Sequence, residues 1–163
     1  MSGREELAQR QAALVAALVA GSPVPPGFDE TRVRASASAL LRKRAGEVAA
    51  VWPMLSASFG PQWNIAFAAW AAARPPLGAL RDGWDFARDA TTPGGADAVT
   101  SAGIGPAAAS ELAEREVSWR YDGTTNPRRR RLPAARLVRG VVLVQILGRP
   151  FRIGGLHPPR PSI

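Results

Sequence analysis

The chain has 163 residues, 46% hydrophobic and 21% charged, the balance of one ordinary globular domain rather than of a disordered chain. Cysteine is absent, which excludes a disulfide framework, a thiolate metal site and a cysteine nucleophile. The formal charge of +8 is unevenly placed: Met1 to Ser118 holds 11 Lys and Arg against 12 Asp and Glu, whereas Trp119 to Ile163 holds 10 Arg against Asp122 alone. So one-sided a C-terminal third predicts an anionic partner, or an interface acidic on its other side.

In chain order, Glu5 to Ala20 reads as an amphipathic helix, with Leu7, Leu14, Val15 and Leu18 at helical spacing and Gly21 as its stop. Glu5, Glu6 and the polar Gln9, Arg10 and Gln11 are wrong for a secretory signal, and no apolar run is long enough to span a membrane, so a cytoplasmic location is expected. Pro23, Pro25 and Pro26 make a short rigid connector. Asp29 is placed to cap a second helix running through Val51. Val33, Ala37, Leu40, Leu41, Val48 and Val51 form its inward stripe, with Arg42, Lys43, Arg44 and Glu47 outward. Pro53 suits the first position of a short helix, Met54 to Phe59, closed by Gly60. Pro61 to Ala73 follows with Trp63, Ile65, Phe67 and Trp70, and Leu80 to Ala90 carries Trp84 and Phe86. Trp52, Trp63, Trp70 and Trp84, flanked by apolar residues, are expected in the core.

Thr91 to Gly105 has few large apolar groups and reads as a flexible linker. Pro106 to Tyr121 reads as helix, and Asp122-Gly123 and Asn126-Pro127 as turns. Val141 to Leu147 is β-branched, apolar and bounded by Gly140 and Gly148, hence a strand, with Phe151 to Ile153 as its hairpin partner. Two strands alone are marginal, so the hairpin must pack on helices, gain a third strand from Arg130 to Arg136, or pair with another chain. The predicted fold is mainly α, with about five or six helices and a small C-terminal β-hairpin or short antiparallel sheet. Its parts are a helical domain (1–90), a flexible linker (91–105), a helix plus basic β-hairpin module (106–155) and a disordered tail (156–163).

Little in the chain suits catalysis. His157 stands alone beside Pro158-Pro159, without a second ligand nearby. Asp82 with Asp85, and Glu111 with Glu114, read as solvated helix faces rather than acid–base pairs. Gly94-Gly95 and Gly103-Ile104-Gly105 lack the Lys-Ser/Thr of a phosphate-binding loop. No catalytic residue, metal site or cofactor is predicted, and the chain is expected not to be an enzyme. The sharpest feature is Arg128, Arg129, Arg130 and Arg131, with Arg136 and Arg139 beyond, a candidate surface for anions or an acidic partner. Val141, Val142, Leu143, Val144, Gln145, Ile146 and Leu147 are candidates for accepting a peptide by strand addition. Arg42, Lys43 and Arg44 are a second basic helix face that could touch nucleic acid.

Leu41-Arg42-Lys43-Arg44-Ala45-Gly46, Val51-Trp52-Pro53-Met54-Leu55, Phe67-Ala68-Ala69-Trp70 and Asp82-Gly83-Trp84-Asp85-Phe86-Ala87 together resemble the helical domain of a known family. Its members are the accessory partner proteins, methanobactin-type among them, of multinuclear-iron enzymes that modify ribosomal peptides; they are often labelled DNA-binding. The likeness covers roughly Leu7 to Ala90 and, more loosely, Val117 to Ile153. It is nearest to an actinobacterial branch with Glu116-Val117-Ser118-Trp119-Arg120-Tyr121 ahead of the poly-Arg run. The resemblance implies a non-catalytic subunit that docks on the iron-containing barrel enzyme and helps present a precursor peptide. The basic cluster would suit an acidic leader. A nucleic-acid-binding protein using the Arg-rich segment is the alternative.

Overall fold

A computed structural model describes residues 3–92, 103–131, 133–138, 141–146 and 149–153, which fall into two units, Met1–Ile104 and Gly105–Ile163. The fold is mainly helical with small antiparallel sheets near the C-terminus. Residues 93–102 of the expected linker and the whole of the expected tail lie outside the described residues, as do Arg139, Leu147 and His157.

The first unit holds α1 (Gly3–Ala20), α2 (Glu30–Val51), α3 (Pro53–Phe59), a 3-10 turn (Gly60–Gln62), α4 (Trp63–Ala71) and α5 (Ala79–Thr91). Local chemistry sets several of these boundaries. Asp29 caps α2, its Oδ1 accepting the Arg32 N–H at 3.1 Å. Pro53 opens α3 where its missing N–H leaves no donor to satisfy, and Gly60 ends it. The four tryptophans expected in the core are buried there.

Phe86 is the centre of the aromatic cluster, with ring centroids 5.2 Å from Phe59, 5.4 Å from Trp63, 5.5 Å from Trp70 and 5.7 Å from Phe67. Each such pair adds about 1 kcal/mol beyond its area burial. Three indole N–H groups find acceptors: Trp52 donates to Leu80 O at 3.1 Å, Trp63 to Ala45 O at 3.0 Å and Trp70 to Asp89 Oδ2 at 2.8 Å. The indoles therefore tie helices together as well as filling space. Ile65, expected to pack, is 61% exposed, because α4 turns Trp63, Phe67 and Trp70 inward and leaves Ile65 on the opposite side. Leu7, Val15 and Leu40 of the expected stripes are exposed as well.

Arg44 corrects the outward basic face expected of α2. Its side chain is buried, and Nε donates to Asp82 Oδ2 at 2.7 Å, across 38 residues of sequence. Nη1 donates to Arg74 O at 2.7 Å and Nη2 to Pro75 O at 3.4 Å, while Asp82 Oδ1 accepts the Leu77 N–H at 3.1 Å. Asp82, expected on a solvated face, is only 2% exposed. A buried charge pair survives only when its remaining donors and acceptors are satisfied, and this one is satisfied by the 74–77 loop.

The second unit holds α6 (Pro106–Ser118), β1 (Trp119–Arg120), β2 (Arg128–Arg129), β3 (Ala134–Val138), β4 (Val141–Ile146) and β5 (Arg149–Ile153). The helix expected to reach Tyr121 stops at Ser118, because Trp119 and Arg120 are drawn into an antiparallel pair with Arg129 and Arg128. The third strand comes from Ala134–Val138, giving a sheet of order β3-β4-β5. Leu143 packs with Ala113 and Val117 of α6 and with Ala134. Gln145, on the same face, is buried and donates to Arg130 O at 3.2 Å. Register places Ala135 and Leu137 opposite Val144 and Val142, and Val144 opposite Phe151, on the face turned away from α6.

Candidate binding surface

The structure divides the arginine run rather than presenting it as one patch. Successive strand residues point to opposite sides. Arg129 therefore lies over the Trp119 ring, its guanidinium carbon 5.0 Å from the centroid, while Arg128 faces the other way with Arg120. Arg130 turns back on the fold, its Nε donating to Glu116 O at 3.2 Å and Trp119 O at 3.0 Å. Its N–H also donates to Ser118 O at 2.9 Å. Arg136 pairs with Glu116. Arg120, Arg128 and Arg131 are exposed, and no carboxylate of the described residues forms an ion pair with them.

The acids of this unit are mostly spent within it. Glu111 pairs with Arg115 at 3.7 Å, and burial pulls the Arg115 guanidinium below its usual pKa, with Glu111 opposing the shift. Asp122 organises the loop between β1 and β2: Oδ1 accepts the N–H of Thr125 and of Thr124, each at 2.9 Å, and both hydroxyls. Those bonds, Thr125 N–H first, hold its carboxyl well below the usual carboxylate range. Gly123 turns the loop in the left-handed region, φ 89°, and the buried Tyr121 donates its hydroxyl to Gly123 O at 3.4 Å. Gly105–Ile163 counts 11 Arg against 4 acids, a net of +7, so the internal pairs leave a large positive excess.

The sheet offers two kinds of contact surface. On the side away from α6, Leu137 is 69% and Phe151 49% exposed, next to half-buried Val142 and Val144. The strand-addition expectation for Val141 to Leu147 is corrected by the pairing: both edges of β4 are already occupied. Among the described residues the open edges belong to β3 and β5. Pro150 in β5 lacks an N–H, a usual way of blunting an edge. The edge of β3 keeps its donors, and the Arg128 to Arg131 run leads into it.

Of the second basic face, Arg42 is exposed, Lys43 reaches Glu47 at 3.5 Å, and Arg44 is turned inward, so the three do not form one surface. A cleft of about 480 Å³ between α1 and α2 is lined chiefly by small and apolar residues such as Ala17, Leu18, Val33 and Leu41. Asp82 and Arg44, which sequence reading placed outside, are structural; Gly83 in mid-helix was the signal that something packs closely there. Among the described residues no group of three or more His, Cys, Asp or Glu is arranged to hold a metal ion, and no helix is long and apolar enough to cross a membrane.

Residues 8–92, more than half of the chain, match the family described as SCO6045-like, C-terminal domain. The chain belongs to that family. A relative from Streptomyces avermitilis, named UPF0276 protein, is 39% identical over 139 residues. The match takes in 83% of this chain and 26% of the relative, so this SCO6045-like chain spans about a quarter of that protein's length. No solved structure matches.

Proposed function

We propose that this chain is a non-catalytic accessory module that docks on a multinuclear-iron barrel enzyme and helps present a ribosomal precursor peptide. The observation that carries the binding part is the incomplete sheet of the second unit. One face lies on α6, the other is apolar and exposed, and β3 leaves an edge open beside a positive excess. Such a surface suits an extended acidic peptide, with main-chain bonds along β3 and carboxylates toward the arginines. The Streptomyces relative supports the docking part, because it holds a stretch similar to this chain within a protein about three times as long. A module found inside a longer protein works beside whatever the rest of that protein supplies. The iron enzyme as partner rests on the family resemblance of Leu41 to Ala87.

The reading predicts a multinuclear-iron enzyme encoded nearby, and co-expression with it is the test. The reading expects a complex that survives size-exclusion chromatography. Elution of this protein alone, with the enzyme well expressed, counts against it. The alternative, nucleic-acid binding by the Arg-rich segment, predicts binding that weakens steeply with salt through counterion release. Engagement of Arg129, Arg130 and Arg136 within the fold leaves fewer arginines for that role.

A further inference from the structure

The two rungs of the β1–β2 ladder differ in electrostatic sign. Trp119 opposite Arg129 is an attractive cation–π rung. Arg120 opposite Arg128 is a like-charge rung, and like charges directly opposite one another destabilise a ladder. Both arginines are exposed, and together with Asp122, Thr125 and Asn126 they line a cleft of about 210 Å³. The loop closing that cleft is held by the Asp122 bonds and by Tyr121, so the two guanidiniums are anchored on an ordered frame.

From this geometry we infer that Arg120 and Arg128 form a clamp for a single carboxylate, an Asp or Glu side chain of a bound peptide. Two guanidiniums on one face of a ladder suit the planar, two-oxygen carboxylate. The charge count selects it over phosphate. Two arginines and the ionised Asp122 leave one net positive charge in the cleft, which a carboxylate neutralises and a phosphate dianion overshoots. Asp122 does not serve as the clamp's own anion, because its oxygens already accept from Thr124 and Thr125. The threonine hydroxyls point at Asp122, so the guanidiniums supply the charged donors. The inference deepens the accessory-module reading by assigning where an acidic peptide is read, and rests on that reading only for the source of the carboxylate.

The test is an NMR titration of the full chain, following the arginine Nε–Hε signals. The probes are a short capped peptide of alternating alanine and glutamate, its glutamine counterpart, and inorganic phosphate. The glutamate peptide should shift Arg120 and Arg128, and the glutamine peptide should not. Arg120→Gln and Arg128→Gln should each weaken binding about fivefold, the size of one exposed charged contact. Arg131→Gln removes the same charge from an exposed site outside the cleft and should change binding less than about twofold. Because the Arg120–Arg128 rung is repulsive, neither clamp variant should unfold, and thermal melts check this. Equal weakening by all three variants would reduce the effect to diffuse charge and overturn the clamp. Tighter binding of phosphate than of the glutamate peptide, or no shift at all, would also overturn it. None of these readouts needs the iron enzyme, so failure of the clamp and failure of the docking reading are separable.

Discussion

Replacing Gly83 by Ala sets local helix propensity against packing, and the two predict opposite signs. Gly83 lies inside α5, where alanine gains about 1 kcal/mol by intrinsic propensity. A Cβ there would meet the Trp52 indole at 2.2 Å from Cδ1, 2.4 Å from Nε1 and 2.7 Å from Cγ. The ring has no room to withdraw: Trp52 is fully buried, stands edge-on to Trp84 at 5.9 Å, and donates to Leu80 O. Overpacking of this kind costs about 3 kcal/mol. Moving the indole also breaks a hydrogen bond worth about 1 kcal/mol. The net expectation is a loss of about 3 kcal/mol, which is a large part of a domain's stability. Gly46→Ala is the control, because a Cβ at Gly46, inside α2, meets nothing within 4 Å. It should gain up to about 1 kcal/mol. Urea denaturation followed by tryptophan fluorescence measures both. Gly83→Ala as stable as the parent would refute the packing of α5 on Trp52.

Asp82→Ala leaves the Arg44 guanidinium buried without its carboxylate, and should cost about 3–5 kcal/mol in the same assay; Arg44→Met with Asp82→Leu should recover most of that loss. The depressed Asp122 carboxyl is favoured when ionised in the folded loop, so its contribution is present above the unfolded pKa near ~3.9 and is lost as pH falls toward the lower folded value. Protection of the Thr124 and Thr125 amides, relative to their intrinsic exchange rates, should therefore fall on acidification below about pH 4, and Asp122→Asn should remove that pH dependence. Leu137→Ser with Phe151→Ser alters one side chain that is 69% and one that is 49% exposed, so the isolated protein should lose no more than about 1–2 kcal/mol in thermal melts.

The helices were legible because their signals are local. Asp29 before α2, Pro53 opening α3 and Gly60 closing it each act within one turn of the residue that carries the chemistry. The tryptophan core was legible for a similar reason, since bulky aromatics at helical spacing have nowhere else to go. Arg44 and Asp82 were not, because neither residue shows locally that a partner lies 38 positions away. The end of α6 was hidden in the same way: Trp119 leaves the helix to pair with Arg129, beyond a loop whose geometry depends on Asp122. The arginine run read as one feature, yet strand alternation splits it. Arg129 goes to Trp119, Arg128 to the cleft and Arg130 to the backbone carbonyls of Glu116 and Trp119. The strand expected over Val141 to Leu147 is β4 as far as Ile146, but its third neighbour placed it in the middle of the sheet and moved the open edge to β3.

The central claim is that the chain works by docking on a partner enzyme. Co-expression with the multinuclear-iron enzyme, followed by size-exclusion chromatography with light scattering, tests it most directly. The account predicts one peak containing both proteins at fixed stoichiometry. Two separate peaks for the unmodified protein, with both partners folded and the enzyme loaded with iron, would contradict it.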